Sequence, residues 1–351
     1  MNEQADIVFE RDAGLAIVTL NRPRALNALT YPMVQDMTRQ LERWAGDPDV
    51  RIVLIRGAGE RGLCAGGDVR SIYDAAQTGD MWPIRFWRDE YRLNRMIADY
   101  PKPVVALMHG IVMGGGIGIS AHASHRIVTE TTNIAMPEVG IGLIPDVGGT
   151  FLLSQAPGEL GTHLALTGGR IGAADAIALG FADHHIPKAD ADELGGPLAR
   201  AQTADDIAGL LADFATPAGD PPLLRERHWI DQAYAAEEVE TICDRLRERA
   251  EPLASEALNA IERNSPTSLK VTLRALRKAH AFGKLAPCLD MELSLVSHCF
   301  GSHDLKEGIR AAIIDKDRNP SWSPARLEDV SARAVDEFFV LPEAAKAALL
   351  T

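Results

Sequence analysis

Any chemistry this chain performs sits in three stretches. The first is GLCAGGDVR, Gly62 to Arg70, where glycines follow a short β-branched run. Glycine lets a backbone approach a ligand closely and aim its N–H groups at it. The second is MGGGIGIS, Met113 to Ser120, in which three glycines lead into a run with helical character. Unpaired N–H donors and partial positive charge at such a point suit a developing oxyanion. Two donors converging from separate turns would form an oxyanion hole, each worth roughly 3 kcal/mol in the transition state. Each glycine run taken alone also fits a tight turn or a close approach of helix to strand.

The third stretch is AMPEVGIGLIPDVGG, Ala135 to Gly149, in which Glu138 and Asp146 each follow a proline, eight residues apart. Two carboxylates in different surroundings can divide acid, base or nucleophile roles between them. The same pair also fits ordinary loop carboxylates, with Asp146 near the start of a helical run from Thr150.

Other chemistries find less support. The ten histidines include His122 with His125 and the pair His184–His185, but neither has a cysteine or carboxylate placed to complete a tetrahedral set, so no metal is expected. No G-x-S-x-G elbow is present, and Cys64 sits in the first glycine turn without a histidine partner, as a packed thiol. The spacing Gly114-Gly-Gly116 then Gly118 is not the dinucleotide fingerprint. The four cysteines form no C-x-x-C pair, which points to free thiols in a reducing compartment.

These segments need a scaffold, and the flanking pattern supplies one. Two β-rich runs around Asp12-Ala-Gly14 predict a hairpin. Met33, Met37, Leu41 and Trp44 fall at helical spacing within Thr30 to Trp44. A strand is predicted over Val50 to Arg56, a helix over Arg85 to Tyr100 ending at Pro101-Lys-Pro103, and a buried strand over Val104 to Met108. Ile117 to His125 can be helical, and short extended pieces follow at Ile127-Val128 and Asn133 to Met136. Strands alternating with helices mark an α/β architecture. From about Leu160 helices dominate, with Ala173 to Leu179 capped by Gly180. A Pro- and Asp-rich joint at Thr216 to Pro222 precedes amphipathic helices over Glu237–Arg249, Leu269–Ala281 and Leu289–Cys299. A chain of 351 residues exceeds one ordinary core, so residues 1–200 are expected to form the α/β body with the site and residues 201–351 a helical C-terminal region.

The net charge of −13 argues against nucleic acid as a partner, since no broad positive field would attract phosphates. The apolar runs are too short to cross a bilayer. The acidic start MNEQADIVFERDAG lacks the features of a signal or transit peptide, so a cytoplasmic location is expected.

The order of motifs is more specific than any one of them. NRPRALNAL, GLCAGGD, KPVVALMHGIVMGGGIG, MPEVGIGLIPDVGGT and LTGGRIGAADAIALGFADHHIP, in that order, resemble the crotonase (enoyl-CoA hydratase/isomerase) superfamily. The resemblance implies a spiral of ββα repeats with a helical C-terminal region, and acyl-CoA thioesters as ligands. It implies that the backbone N–H groups of Gly67 and Gly115 hold the acyl oxygen. Arg24, Ala25 and Leu26, together with Ala65 and Asp68, then fall on the substrate-binding segments, with Arg22 and Arg24 as local positive charge for CoA. Hydratases of the superfamily place one glutamate at the position of Gly118 and another at that of Glu138. Here the first is glycine, whereas Asp146 stands where many hydratases have glycine. Glu138 with Asp146 resembles the 3-hydroxyisobutyryl-CoA hydrolase branch, as do FWRDEYRLN (Phe86 to Asn94), NSPTSLKVTLR and EGIRAAIIDKDRNPSW; Glu90 matches a carboxylate lining the acyl pocket there.

That branch implies hydrolysis of 3-hydroxyisobutyryl-CoA, a step of valine breakdown, with Glu138 as nucleophile or general base and Asp146 orienting substrate or water. Coenzyme A is part of the substrate, so no separate cofactor is expected, and a homo-oligomer is compatible with the resemblance. Two other readings stay open: a hydratase or isomerase using Glu138 alone, and a non-catalytic acyl-CoA-binding protein.

Overall fold

The structure, a computed structural model, describes residues 5–350. Its residues gather into two compact units, each built from several stretches of the chain. The first takes in residues up to Gly67, Asp89–Ile134 and Ile171–Pro222; the second takes in Asp68–Arg88, Ala135–Arg170 and the chain from Leu223 onward.

In the first unit the predicted hairpin is present: β1 (Ile7–Asp12) pairs antiparallel with β2 (Leu15–Leu20), Ile7 opposite Leu20. From β2 the sheet continues in parallel through β3 (Ile52–Gly57) and β4 (Val104–Met108) to β6 (His125–Val128) and β9 (His184–His185). Leu15 lies beside Ile52, Val53 beside Val104, and Val105 beside His125. Residues on both faces of β2, β3 and β4 are buried, which explains runs of apolar residues without strict alternation. Leu15, Ile52, Leu54, Val105, Leu107 and Ile127 form one face of this core, packed with Leu198, Ile207 and Leu211 from later helices. Helix α1 (Tyr31–Gly46) buries Met33, Met37, Leu41 and Trp44, the residues whose spacing predicted it, and Thr30 caps its start. The short strands β5 (Ile111–Met113), β7 (Asn133–Ala135) and β8 (Arg170–Ile171) form a second sheet in that order.

Helices α2 (Val69–Thr78) and α3 (Trp82–Ala98) lie between β3 and β4 in the chain. The expected helix over Ile117 to His125 is a correction. Helix α4 covers only Gly115–Gly118, and His125 already belongs to β6. Three of its four residues are glycine, which lowers helix propensity, and β6 claims the chain soon afterwards.

The second unit is largely helical. Helix α5 (Gly149–Gln155) and α6 (Leu160–Thr167) pack on a long helix, Pro266–Phe282, which in turn packs on the helix Leu285–Gly301. The helix predicted over Glu237–Arg249 spans Val239–Arg247. The other two begin earlier than the apolar spacing suggests: Ser265 caps the first through Ser268 N–H, and the second starts at Leu285 without a side-chain cap. No helix among the described residues is long and apolar enough to cross a membrane.

Candidate active site

In the first unit the two glycine turns lie side by side. A bridge joins Leu29 to Gly67, another joins Cys64 to Val112, and Met113 N–H donates to the Cys64 carbonyl at 3.0 Å. Several glycines of these turns leave no room, or no backbone conformation, for a side chain. A Cβ on Gly116 would sit 2.4 Å from the Cys64 carbonyl oxygen. Gly66 and Gly114 both hold positive φ, 108° and 46°. A Cβ on Gly115 would lie 3.5 Å from the Gly67 nitrogen, 3.0 Å from Leu29 Cδ1 and 2.6 Å from Glu90 Oε1. Gly67 N, Gly115 and the buried Glu90 carboxylate therefore share one small space. No acceptor among the described residues takes the N–H of Gly67 or of Gly115. Two open backbone donors this near one another are the kind of pair that can hold an anionic oxygen.

Glu90 reaches that space from α3, a turn before the fully buried Asn94. Cys64 is fully buried, and its sulfur hydrogen-bonds within its own turn to Gly66. Burial above all, with Glu90 adding to it, pushes its thiol up to about 12, so Cys64 is a packed thiol and a poor nucleophile.

The Arg22–Leu26 segment forms a 3-10 turn at Pro23–Ala25 ending in left-handed Leu26. The Leu26 carbonyl accepts from Ala65 N–H at 3.0 Å, which brings these two expected substrate-binding positions together. Arg24 and Ala25 are exposed. The Arg22 guanidinium donates to the Ala28 carbonyl at 2.7 Å and faces Asp6 at 3.5 Å, so part of its hydrogen bonding holds the turn itself. Asp68 occupies the residue before α2 and, as its cap, makes no side-chain capping bond.

In the second unit three carboxylates are buried together: Glu138, Asp146 and Glu292. Glu138 opens a 3-10 turn, Glu138–Ile141. Ser265 N–H fixes that turn on the Val139 carbonyl at 3.1 Å. Two close approaches to the helix His303–Ile309 also hold it. A Cβ on Gly142 would lie 2.3 Å from the Asp304 carbonyl, and one on Gly308 would lie 2.4 Å from the Ile141 backbone. Glu138 itself is 6% exposed, and its Oε2 has no hydrogen-bond partner among the described residues. Burial first, then the neighbouring Asp146 and Glu292, raises its carboxyl well above the ordinary range. A carboxyl raised in this way exchanges its proton at a pH above the ordinary carboxylate range.

Asp146 is not the N-cap of α5, as the loop reading of it expected. The cap is Gly148; the Gly149 N–H goes to the Asp146 carbonyl, while the N–H groups of Gly148 and Thr150 go to Glu292, from a helix far along the chain. Glu292 Oε2 accepts from Gly148 N at 2.7 Å; Oε1 accepts from Thr150 N at 3.0 Å and Thr150 Oγ1 at 2.5 Å. Burial pushes Glu292 up to about 8, with Asp146 adding to it and the bonds from Thr150 and Gly148 opposing. The motifs do not include Glu292; the available signal is the one charged residue on the buried face of LDMELSLVSHC. No cluster of three or more His, Cys, Asp or Glu arranged to hold a metal ion occurs among the described residues.

Comparison with known proteins places these features in context. Residues 15–339 match the sequence family described as enoyl-CoA hydratase/isomerase. The mitochondrial 3-hydroxyisobutyryl-CoA hydrolase of Gallus gallus is 41% identical over 342 residues, 95% of this chain and 89% of that protein. That of Homo sapiens is 38% identical over 341 residues, with 95% and 88% covered. A solved carnitinyl-CoA dehydratase from Mycobacterium thermoresistibile superposes with a TM-score of 0.92 at 46% identity, covering 97% of this chain and 98% of that one. An enoyl-CoA hydratase from Rhodobacter sphaeroides gives 0.88 at 42% identity, with 97% and 99% covered.

Proposed function

Given that the chain belongs to the enoyl-CoA hydratase/isomerase family, whose members act on acyl-CoA, we propose that it hydrolyses an acyl-CoA thioester, 3-hydroxyisobutyryl-CoA first among them. The observation that carries this reading is Glu138: a buried carboxylate with a raised pKa and an oxygen free of hydrogen bonds, beside a second buried carboxylate. Hydration of a double bond in this family draws on a second glutamate at the position of Gly118, which here has no side chain to offer.

The thioester oxygen rests on the N–H groups of Gly67 and Gly115, which polarises the carbonyl and takes up the negative charge of the tetrahedral state. Glu138, ionised, either attacks the acyl carbon or takes a proton from water that does so. In the first route the C–S bond breaks, CoA leaves as thiolate, and water then cleaves the acyl–Glu138 anhydride. In the second, water adds directly and the proton held by Glu138 returns to the leaving group. Asp146 orients the acyl hydroxyl or the water and, in the second route, relays the proton taken up by Glu138 to the sulfur. Glu90, buried beside Gly115, lines the acyl pocket in this reading. Both routes end in free CoA and 3-hydroxyisobutyrate.

A second reading, hydration or dehydration of an enoyl-CoA, draws support from the names of the two solved structures at 46% and 42% identity. Incubation with 3-hydroxyisobutyryl-CoA and, separately, crotonyl-CoA divides the two. Release of free thiol from the first with no loss of enoyl absorbance in the second supports hydrolysis. Enoyl loss without thiol would sink it.

A further inference from the structure

Glu292 is the one member of the buried carboxylate group to which the proposed reaction gives no task. Its position is heavily determined. It leaves the helix Leu285–Gly301 and takes three hydrogen bonds from a loop more than a hundred residues away in sequence, at Gly148 N, Thr150 N and Thr150 Oγ1. That loop begins at Asp146 and is strained: Val147 holds φ of 56°, a region β-branched side chains avoid, and Gly148 holds 80°. Asp146 closes it by accepting Gly149 N–H on its own carbonyl at 2.6 Å. A left-handed valine persists only where its surroundings over-determine it, and here the bonds immediately after it end on one carboxylate. An amide could not replace that carboxyl, because its NH2 would face the N–H of either Gly148 or Thr150, neither of which can accept.

We infer that Glu292 is the positioning residue for Asp146, holding the Asp146–Thr150 loop through the N–H groups of Gly148 and Thr150 and the Thr150 hydroxyl. It touches no substrate in this role. The ionisable groups facing it are Asp146 on the loop, Glu138 on its 3-10 turn, and Cys288 one turn earlier on its own helix. The inference rests on Asp146 acting in the proposed hydrolysis.

The test is Glu292→Gln in the full chain, read by steady-state thiol release and by peptide-resolved hydrogen exchange over residues 144–152. The expected result is a kcat lowered about 10- to 100-fold with KM held within about threefold, the signature of a misplaced group rather than lost binding. Exchange in the loop should quicken at the same time. Thr150→Val removes only the hydroxyl bond and keeps both N–H bonds; a loss of about fivefold in kcat is expected there. A wild-type kcat in Glu292→Gln, or exchange identical to wild type, overturns the inference. Should Glu292→Gln fail to fold, Thr150→Val carries the test, and an unchanged kcat overturns it. A wild-type protein that cleaves no acyl-CoA would instead sink the hydrolase reading, and loop exchange alone would then decide the role of Glu292.

Discussion

Gly115→Ala offers the sharpest perturbation of the proposed oxyanion cradle, because the structure says where the added methyl would go. It would stand 3.5 Å from the Gly67 nitrogen and 2.6 Å from Glu90 Oε1. An acyl oxygen bonded to Gly67 N–H must sit about 2.9 Å from that nitrogen, so methyl and oxygen compete for one volume. With Gly67 and Gly115 as the proposed oxyanion donors, the expected cost is one donor, a loss of about 10²–10³ in kcat. Glu90 must also move to relieve the contact, and overpacking of this kind costs about 1–3 kcal/mol of stability. Thiol release followed with a thiol reagent is a clean assay, since all four cysteines of the protein are buried and add little background. Gly46→Ala is the control: no atom lies within 4 Å of its added methyl, at the end of α1. A Gly115→Ala enzyme that folds and retains more than about a third of wild-type kcat would refute the cradle, given the donor magnitude above.

The raised carboxyls make opposite predictions for rate and stability. Thiol release requires ionised Glu138, so it should fall as pH drops through a value well above the ordinary carboxylate range, and a limb near that ordinary range would contradict the account. Folded Glu138 and Glu292 keep their protons to higher pH than they do unfolded, so the folded state binds more protons and stability declines as pH rises toward about 8. Glu138→Gln should therefore have a higher melting temperature than wild type near pH 8, the gap narrowing toward about pH 5; thermal melts at both values check it. Asp146→Gly should cripple thiol release while leaving the fold intact by circular dichroism, and an unchanged rate would remove Asp146 from the reaction. Gly142→Ala meets both a left-handed φ of 72° and the Asp304 backbone at 2.3 Å. It should cost about 1–3 kcal/mol of stability by chemical denaturation and displace the turn that carries Glu138, with a loss of rate in step.

Much of the scaffold is legible in the sequence because local pattern and tertiary packing agree there. Met33, Met37, Leu41 and Trp44 predict α1 by spacing, and the same residues are its buried face. The apolar runs of β2, β3 and β4 read as buried strands because both faces are covered. The pattern fails at Ile117 to His125, where apolar residues at mixed spacing suggest a helix but glycines end it at Gly118. In the candidate site, the glycine turns are readable as turns, yet their convergence on one point depends on bridges between Leu29 and Gly67 and between Cys64 and Val112 that no local pattern encodes. Asp146 shows the limit most clearly. Its spacing before Val-Gly-Gly fits a helix cap, but Glu292 takes the N–H groups of Gly148 and Thr150, and its sequence position gives no hint of that pairing.

The most direct test is thiol release from 3-hydroxyisobutyryl-CoA by wild type and by Glu138→Gln, with binding of a non-hydrolysable CoA analogue measured alongside. Turnover by wild type, background rates in the variant and near-equal affinity for the analogue are the expected result. Turnover in Glu138→Gln close to that of wild type would contradict the account.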